Sequence, residues 1–303
     1  MSEATVTKDK SATKSKEKSK KGKGKDKKKR KQQPKHRYTA ANADKYLLYQ
    51  LSVNSADVDV DFLEKVYEEH NPGREPLHLR EDFCGTHAMC AEWVKRDARR
   101  TAEGYDLDPE PVEWGKRHNL SPLGDEAASR VSLYLEDARN EGRKAPDIRV
   151  AQNFSYWLFM KRKELLDYFK KVHASLGPGG IFVCDLYGGT ESVEHMEEER
   201  KIAGGFTYVW DQDLFKPGTA EFTCHIHFRF RDGSELPKAF TYVWRKWGMA
   251  ELKDLLADAG FSSVRSYFEG EDEDDPEEGD GKFEHDEEGD NCESWIAYLV
   301  SQK

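Results

Sequence analysis

Leu77-His78-Leu79-Arg80-Glu81-Asp82-Phe83-Cys84-Gly85-Thr86-His87 decides how this chain folds. A short extended run ends in two acids and passes through a turn holding one glycine. Met89, Trp93 and Val94 then recur at helical spacing. Further on, Ala102-Glu103-Gly104-Tyr105-Asp106-Leu107-Asp108-Pro109 reads as a second strand ending in Asp106, with Pro109 placed to open a helix. Strand, turn, helix, strand and acid form a layout that holds a nucleoside: backbone N–H groups face the ligand at the turn, and a carboxylate grips ribose hydroxyls. The dinucleotide pattern G-x-G-x-x-G needs three glycines here and finds one, which argues against a nicotinamide-dependent oxidoreductase.

Outward from this unit the pattern repeats. Residues 44–50 and 61–67 read as two helices ahead of the first strand. A helix across Pro111–Asn119 leads to a third strand, 131–139, and Asp147 to Trp157 reads as a fourth strand with a polar, aromatic loop. Leu165, Leu166, Phe169, Val172 and Leu176 mark an amphipathic helix, stopped by Gly177-Pro178-Gly179-Gly180 before a buried fifth strand, Ile181 to Leu186. Strands alternating with helices predict an α/β fold with a doubly wound, mostly parallel sheet.

A chain of 303 residues accommodates one such domain with tails. Its net charge of −10 is unevenly spread. Residues 1–37 hold 16 Lys and Arg against 4 Asp and Glu, a net +12, which leaves −22 for the rest. That segment reads as a disordered Lys-rich tail, and residues 38–303 as the folded domain. The tail suits an acidic partner or nucleic acid, and Lys27 to Lys31 suits nuclear import, with a cytoplasmic, intracellular setting as the default. Five scattered cysteines without a C-x-x-C fit a reducing compartment and offer no zinc site; no metal is expected. No apolar run is long enough to span a membrane. Residues 269–290 carry 14 acids in 22 positions and read as a mobile acidic loop.

Six segments in order resemble class I S-adenosylmethionine-dependent methyltransferases. Glu81-x-Phe83-x-Gly85-x-His87 stands at the family's glycine turn, Leu135-Glu136-Asp137-Ala138 at its third acid, and Leu176 to Phe182 at its L-x-P-G-G strand entry. Trp244 to Leu252, Ala259-Gly260-Phe261 and Ser294 to Val300 match its late helix, its A-G-F turn and its seventh strand. The resemblance implies seven strands, one of them antiparallel, and methyl transfer from S-adenosylmethionine. It implies that Glu81 and Asp82 orient the methionine amino group, that Gly85 leaves room for the cofactor's backbone, that Asp106 holds the ribose and that Asp137 meets the adenine amino group. Asn153, in Asn153-Phe154-Ser155-Tyr156-Trp157, would border the reacting methyl and offer its amide oxygen to an acceptor amine, with Tyr156 packing the acceptor.

Between the fifth strand and the late helix, residues 206–245 read as an inserted antiparallel β lid. Phe222 to Arg231 alternates with period two, and Asp232-Gly233 reads as a two-residue hairpin turn. That register sets Arg231 opposite Ser234 and His225 opposite Phe240, so one face would combine His225 and His227 with Phe240, Tyr242 and Trp244. Such a face would close on the acceptor, with His225 or Tyr242 on the acceptor side of the reaction. The expected function is methylation of a small-molecule acceptor. A protein or nucleic-acid acceptor recruited by the tail, and an inactive cofactor-binding scaffold, are the alternatives.

Overall fold

The computed structural model describes residues 38–271 and 279–303. The tail expected over 1–37 lies outside the described residues. Asp44 caps the first helix, α1 (Lys45–Val53), by accepting from the N–H groups of Tyr46 and Leu47. Helix α2 (Ala56–His70) follows and buries Val60, Phe62, Leu63, Val66 and Tyr67. Then come β1 (His78–Asp82), α3 (Ala88–Arg96), β2 (Thr101–Tyr105), α4 (Pro109–Gly115), a π turn over Lys116–Leu120, the short α5 (Asp125–Ala128), β3 (Val131–Tyr134) and β4 (Ile148–Ala151). Helix α6 (Arg162–Ser175) and β5 (Ile181–Gly188) complete the parallel half. After the strands of an inserted sheet, residues 196–245, come α7 (Met249–Ala259), β10 (Ser263–Glu271), β11 (Gly279–His285) and β12 (Trp295–Gln302).

The main sheet has the order β3-β2-β1-β4-β5-β12-β10-β11, with β12 antiparallel to both its neighbours. It has eight strands where seven were expected. The addition is β11, which pairs antiparallel with β10 and occupies part of the stretch read as a mobile acidic loop. Asp280, Lys282 and Glu284 alternate with Gly281, Phe283 and His285, and Phe283 packs 4.6 Å from Tyr298 and 5.5 Å from Phe62, so an apolar anchor holds the charged strand down. Residues 272–278 lie outside the described residues. Helices α2 and α3 cover one sheet face around Leu79, Val150, Val183 and Val300. Helices α6 and α7 cover the other around Phe169, Phe182 and Leu255.

Strand parity separates the two acids of the deciding stretch. Glu81 shares the α3 face with Leu79, and Asp82 shares the α6 face with Arg80. Asp82 is fully buried there: it accepts from Arg80 Nε at 2.8 Å, Arg149 Nε at 2.7 Å and the Tyr168 hydroxyl at 2.7 Å. Both guanidinium groups also donate to the Ala138 carbonyl, so the network ties the loop after β3 to β1 and β4. Asp82 is therefore a structural counter-ion, correcting its expected place beside the cofactor.

The inserted sheet is larger than the expected 206–245. It comprises β6 (Met196–Ile202), β7 (Phe206–Lys216), β8 (Glu221–Phe230) and β9 (Glu235–Arg245) in sequential order. Its hairpin differs from the expected two-residue turn. Phe230 N–H donates to Ser234 O, and Gly233 takes φ +83° as the last of three loop residues. A bulge then sets Pro237, Lys238 and Ala239 against His227 alone, with Lys238 at φ +47°. Pro237 has no N–H for the ladder, and the Lys238 N–H goes instead to His227 Nδ1 at 2.9 Å. The register past the bulge pairs Ile226 with Phe240, Cys224 with Tyr242 and Phe222 with Trp244. His225 pairs with Thr241 and thus lies on the opposite face from Tyr242. The mixed histidine–aromatic face does not form.

Candidate functional site

The hollow at the carboxyl ends of β1, β2 and β4 is shaped by a turn that holds left-handed φ at Phe83 (+58°), Gly85 (+47°) and His87 (+45°). The two bulky side chains turn away from it. Phe83 packs on Phe159 and Tyr168 toward α6. His87 is fully buried against α4, where a Cβ on Gly115 would lie 2.5 Å from its ring. Burial lowers the His87 pKa to about 4, so it stays neutral. Gly85 alone faces the hollow, with nothing within 4 Å of the place a Cβ would take. Asp106 fixes the turn by accepting from Gly85 N–H at 2.7 Å and from Asp108 N–H at 2.8 Å, and burial pushes its pKa up. The glycines missing from the turn thus do not close the hollow.

Two leucines at this edge were not singled out from the sequence. Leu107, after Asp106, is 68% exposed, and Leu135, after β3, is 52% exposed. Exposed apolar side chains following adjacent parallel strands make the flanks of a slot for a flat ring. Asp137 does not join them: its carboxylate forms a two-bond pair with Arg139 at 2.6 and 2.9 Å beside Lys170 and Lys171 of α6.

Across the sheet, a row of polar groups lies on the α2 face. Glu81 accepts from Cys90 N–H at 3.1 Å, and burial raises its pKa to about 7, with Asp59 and Asp106 adding to the shift. Asp185 on β5 pairs in register with Tyr298 on β12. Tyr298 donates to Asp59 of α2 at 2.9 Å and receives the Gln152 side-chain N–H at 3.1 Å. Burial raises Asp59 to about 6 and Asp185 to about 7. Asn153 and Phe154 both adopt left-handed φ, +54° and +56°, and their N–H groups reach Asp185 at 2.7 and 2.9 Å. Two adjacent non-glycine residues held this way store strain, a feature concentrated at functional sites. Asn153 itself is exposed, so its amide is free to face a ligand.

The roof is the inner face of the inserted sheet together with α1. Tyr242 stacks on Trp244 at 4.4 Å, Trp210 lies 6.3 Å from Tyr242, and Tyr49 of α1 packs 5.1 Å from Phe240. Burial pushes the hydroxyls of Tyr49, Tyr208 and Tyr242 above the ordinary tyrosine range, and Asp185 adds to the shift at Tyr49. All three keep accessible surface, so their hydroxyls can meet a ligand. Helix α1 is tied to the cofactor half through Asp44, which accepts from Trp114 Nε1, and through Gln50, which exchanges amide hydrogen bonds with Asn119. Asn119 in turn donates to Thr86 O in the glycine turn.

Two expected acceptor-side residues are elsewhere. Tyr156 is fully buried on the α6 face and donates to Asp185 O at 2.8 Å, so it packs the core. His225 is held on the outer lid face by Thr241 at 2.9 Å and Asp213 at 3.1 Å. On that face Glu197, Asp211 and His227 bring ligand-type atoms within 4.8 Å of one another. The Lys238 N–H points at His227 Nδ1, which must accept and so leaves the proton on Nε2, 3.1 Å from Asp211. Glu197 is taken up by Arg229 at 2.7 Å. This is a hydrogen-bonded ion cluster, not a prepared metal centre.

No protein-family model and no curated protein matches the chain. Solved structures do match. A S-adenosylmethionine-dependent methyltransferase from Clostridium acetobutylicum aligns over 84% of this chain and 96% of its own, with TM-score 0.61 and 16% identity. CalS10, an amino pentose methyltransferase from Micromonospora echinaspora, aligns over 85% and 95%, with TM-score 0.59 and 15% identity. The sugar N-methyltransferase KedS8 from Streptoalloteichus aligns over 86% and 93%, with TM-score 0.55 and 15% identity. The fold is the one these methyltransferases share.

Proposed function

We propose that this chain is a S-adenosylmethionine-dependent methyltransferase acting on a small acceptor enclosed beneath the inserted sheet. The observation that carries the reading is the open space over Gly85, framed by Asp106 and Glu81 and flanked by exposed Leu107 and Leu135. Asp106 would hold ribose hydroxyls, Glu81 the methionine ammonium, and the two leucines the adenine faces. When bound, the cofactor supplies a methyl group already electrophilic on its sulfonium sulfur. The chain's task is to align an acceptor, exclude water and manage a proton. Tyr49, Tyr208 and Tyr242 close the pocket from above, and Asn153 borders the junction. An aromatic roof over the site favours a small acceptor over a polymer held by residues 1–37.

Calorimetry tests the reading directly. The native chain should bind S-adenosylmethionine or its demethylated product at about micromolar level, and Asp106→Ala should weaken binding by about tenfold or more at unchanged folded content. A native chain that binds neither molecule ends the proposal.

Binding should also depend on pH. A cationic ligand favours the ionised form of Glu81, whose pKa stands at about 7 in the free protein, so binding releases a proton. Affinity should therefore rise with pH through this range and level off above it, being about tenfold weaker at pH 6 than at pH 8. Titrations in buffers of different ionisation enthalpy measure the released proton. Affinity independent of pH from 6 to 8 would remove Glu81 from the cofactor's contacts.

A further inference from the structure

We propose that the acceptor is a small primary or secondary organic amine, bound as its ammonium ion between the roof tyrosines and the Asp185–Asp59 carboxylates, with Asp185 removing its proton. The proposal rests on the methyltransferase reading and names the class of its second substrate.

Charge is the first argument. Glu81, Asp106 and Asp185 stand at the ends of β1, β2 and β5, with Asp59 of α2 bonded to Tyr298 beside Asp185, and among the described residues none of the four pairs with a lysine or arginine. Enclosed carboxylates without a counter-ion are costly, and they are retained where a ligand brings the positive charge. The cofactor carries a net single positive charge. Glu81 and Asp106, beside the glycine turn at the ends of β1 and β2, meet its ammonium and ribose. Asp59 of α2 and Asp185 of β5 lie across the sheet, with Tyr298 bonded to the first and in register with the second, and are left over. Cations beside the roof are occupied: Arg200 donates to Ser52 O, Lys246 to Tyr187 O at 2.9 Å, and Lys45 pairs with Glu110 at 3.5 Å.

Geometry is the second. Each Asp185 oxygen receives one backbone N–H, which fixes the carboxylate and leaves a lone pair on each oxygen. The strained pair Asn153–Phe154 aims both of its N–H groups at this carboxylate. Above it stand rings and hydroxyls: Tyr242 stacked on Trp244, Trp210 beside them, and Tyr49 facing Tyr242. Aromatic faces attract an ammonium, and tyrosine oxygens accept its N–H groups. An anionic acceptor would be repelled by these carboxylates, and an alcohol would leave them uncompensated. The proton step is simple. An N–H of the ammonium passes its proton to a carboxylate oxygen of Asp185, giving a neutral amine with a free lone pair and a neutral carboxylic acid. Asp59 of α2, Tyr298 of β12, Tyr49 of α1 and Tyr156 after β4 are the titratable groups near Asp185 from the elements packed on it.

An unidentified acceptor does not prevent the test. A deproteinised cell extract is divided, and one half is treated with acetic anhydride and then hydroxylamine, which leaves amines acetylated and hydroxyls free. Both halves are incubated with the full chain and methyl-labelled cofactor. Label should enter small molecules of the untreated half and fall about tenfold or more in the acetylated half. Label surviving acetylation overturns the amine while leaving methyl transfer standing. Absence of label from the untreated half, in a chain that binds cofactor, overturns both. For the proton role, Asp185→Asn should keep product binding within about threefold, lose about 100-fold in transfer at pH 7, and regain rate as pH rises and the free amine loses its own proton. A variant rate that stays flat with pH would assign Asp185 to packing alone.

Discussion

Asp82→Ala is expected to cost about 3–5 kcal/mol of stability, because it leaves the Arg80 and Arg149 guanidinium groups buried without their counter-ion. Both arginines are at most 1% exposed, and the Tyr168 hydroxyl would lose its acceptor as well. Urea unfolding should show the loss as a lower midpoint at similar slope. Cofactor affinity of the folded fraction should stay within about threefold, since Asp82 points to the α6 face while the hollow over Gly85 is bordered by Glu81. The opposite pattern, intact stability with lost cofactor binding, would return Asp82 to the cofactor's contacts.

Tyr242→Ala and His225→Ala should part company. Removing Tyr242 takes away a ring stacked 4.4 Å from Trp244 and a hydroxyl facing Tyr49, so kcat/KM for the acceptor should fall by about 30-fold or more. Cofactor affinity should change by less than about threefold. His225 sits on the outer face, bound to Thr241 and Asp213, and its removal should leave kcat/KM within about twofold. Steady-state kinetics on the amine identified by labelling checks both. Equal losses from the two substitutions would contradict the register past the bulge.

The parallel half of the fold was legible in the sequence because its signals are local: period-two runs, helical spacing, and glycine or proline at the breaks. The end of β2 at Asp106, and the turn at Gly85, could be read the same way. What the sequence hides depends on contacts distant along the chain. Asp82 looks like a site acid until Arg149, remote along the chain, is known to stand on the same face. The bulge at Pro237 to Ala239 shifts a whole strand's pairing, and only the proline hinted at it. Asp185 left a trace, an acid closing the otherwise apolar run Ile181 to Leu186, and the fold was needed to give that trace meaning. Asp59 left none, since Val58-Asp59-Val60-Asp61 reads as any amphipathic helix start.

The His87 ring fills the space that a side chain on Gly115 would need, and Gly115 is what lets the ring in. The turn's own backbone makes the same demand: the Thr86 carbonyl oxygen would lie 2.2 Å from a Cβ on Gly115. Glycine at 115 is therefore required whichever residue stands at 87, and part of the turn's need for small residues is met from the neighbouring helix. A turn motif defined along the chain overlooks that contribution, whereas one defined by the volume around the hollow detects it.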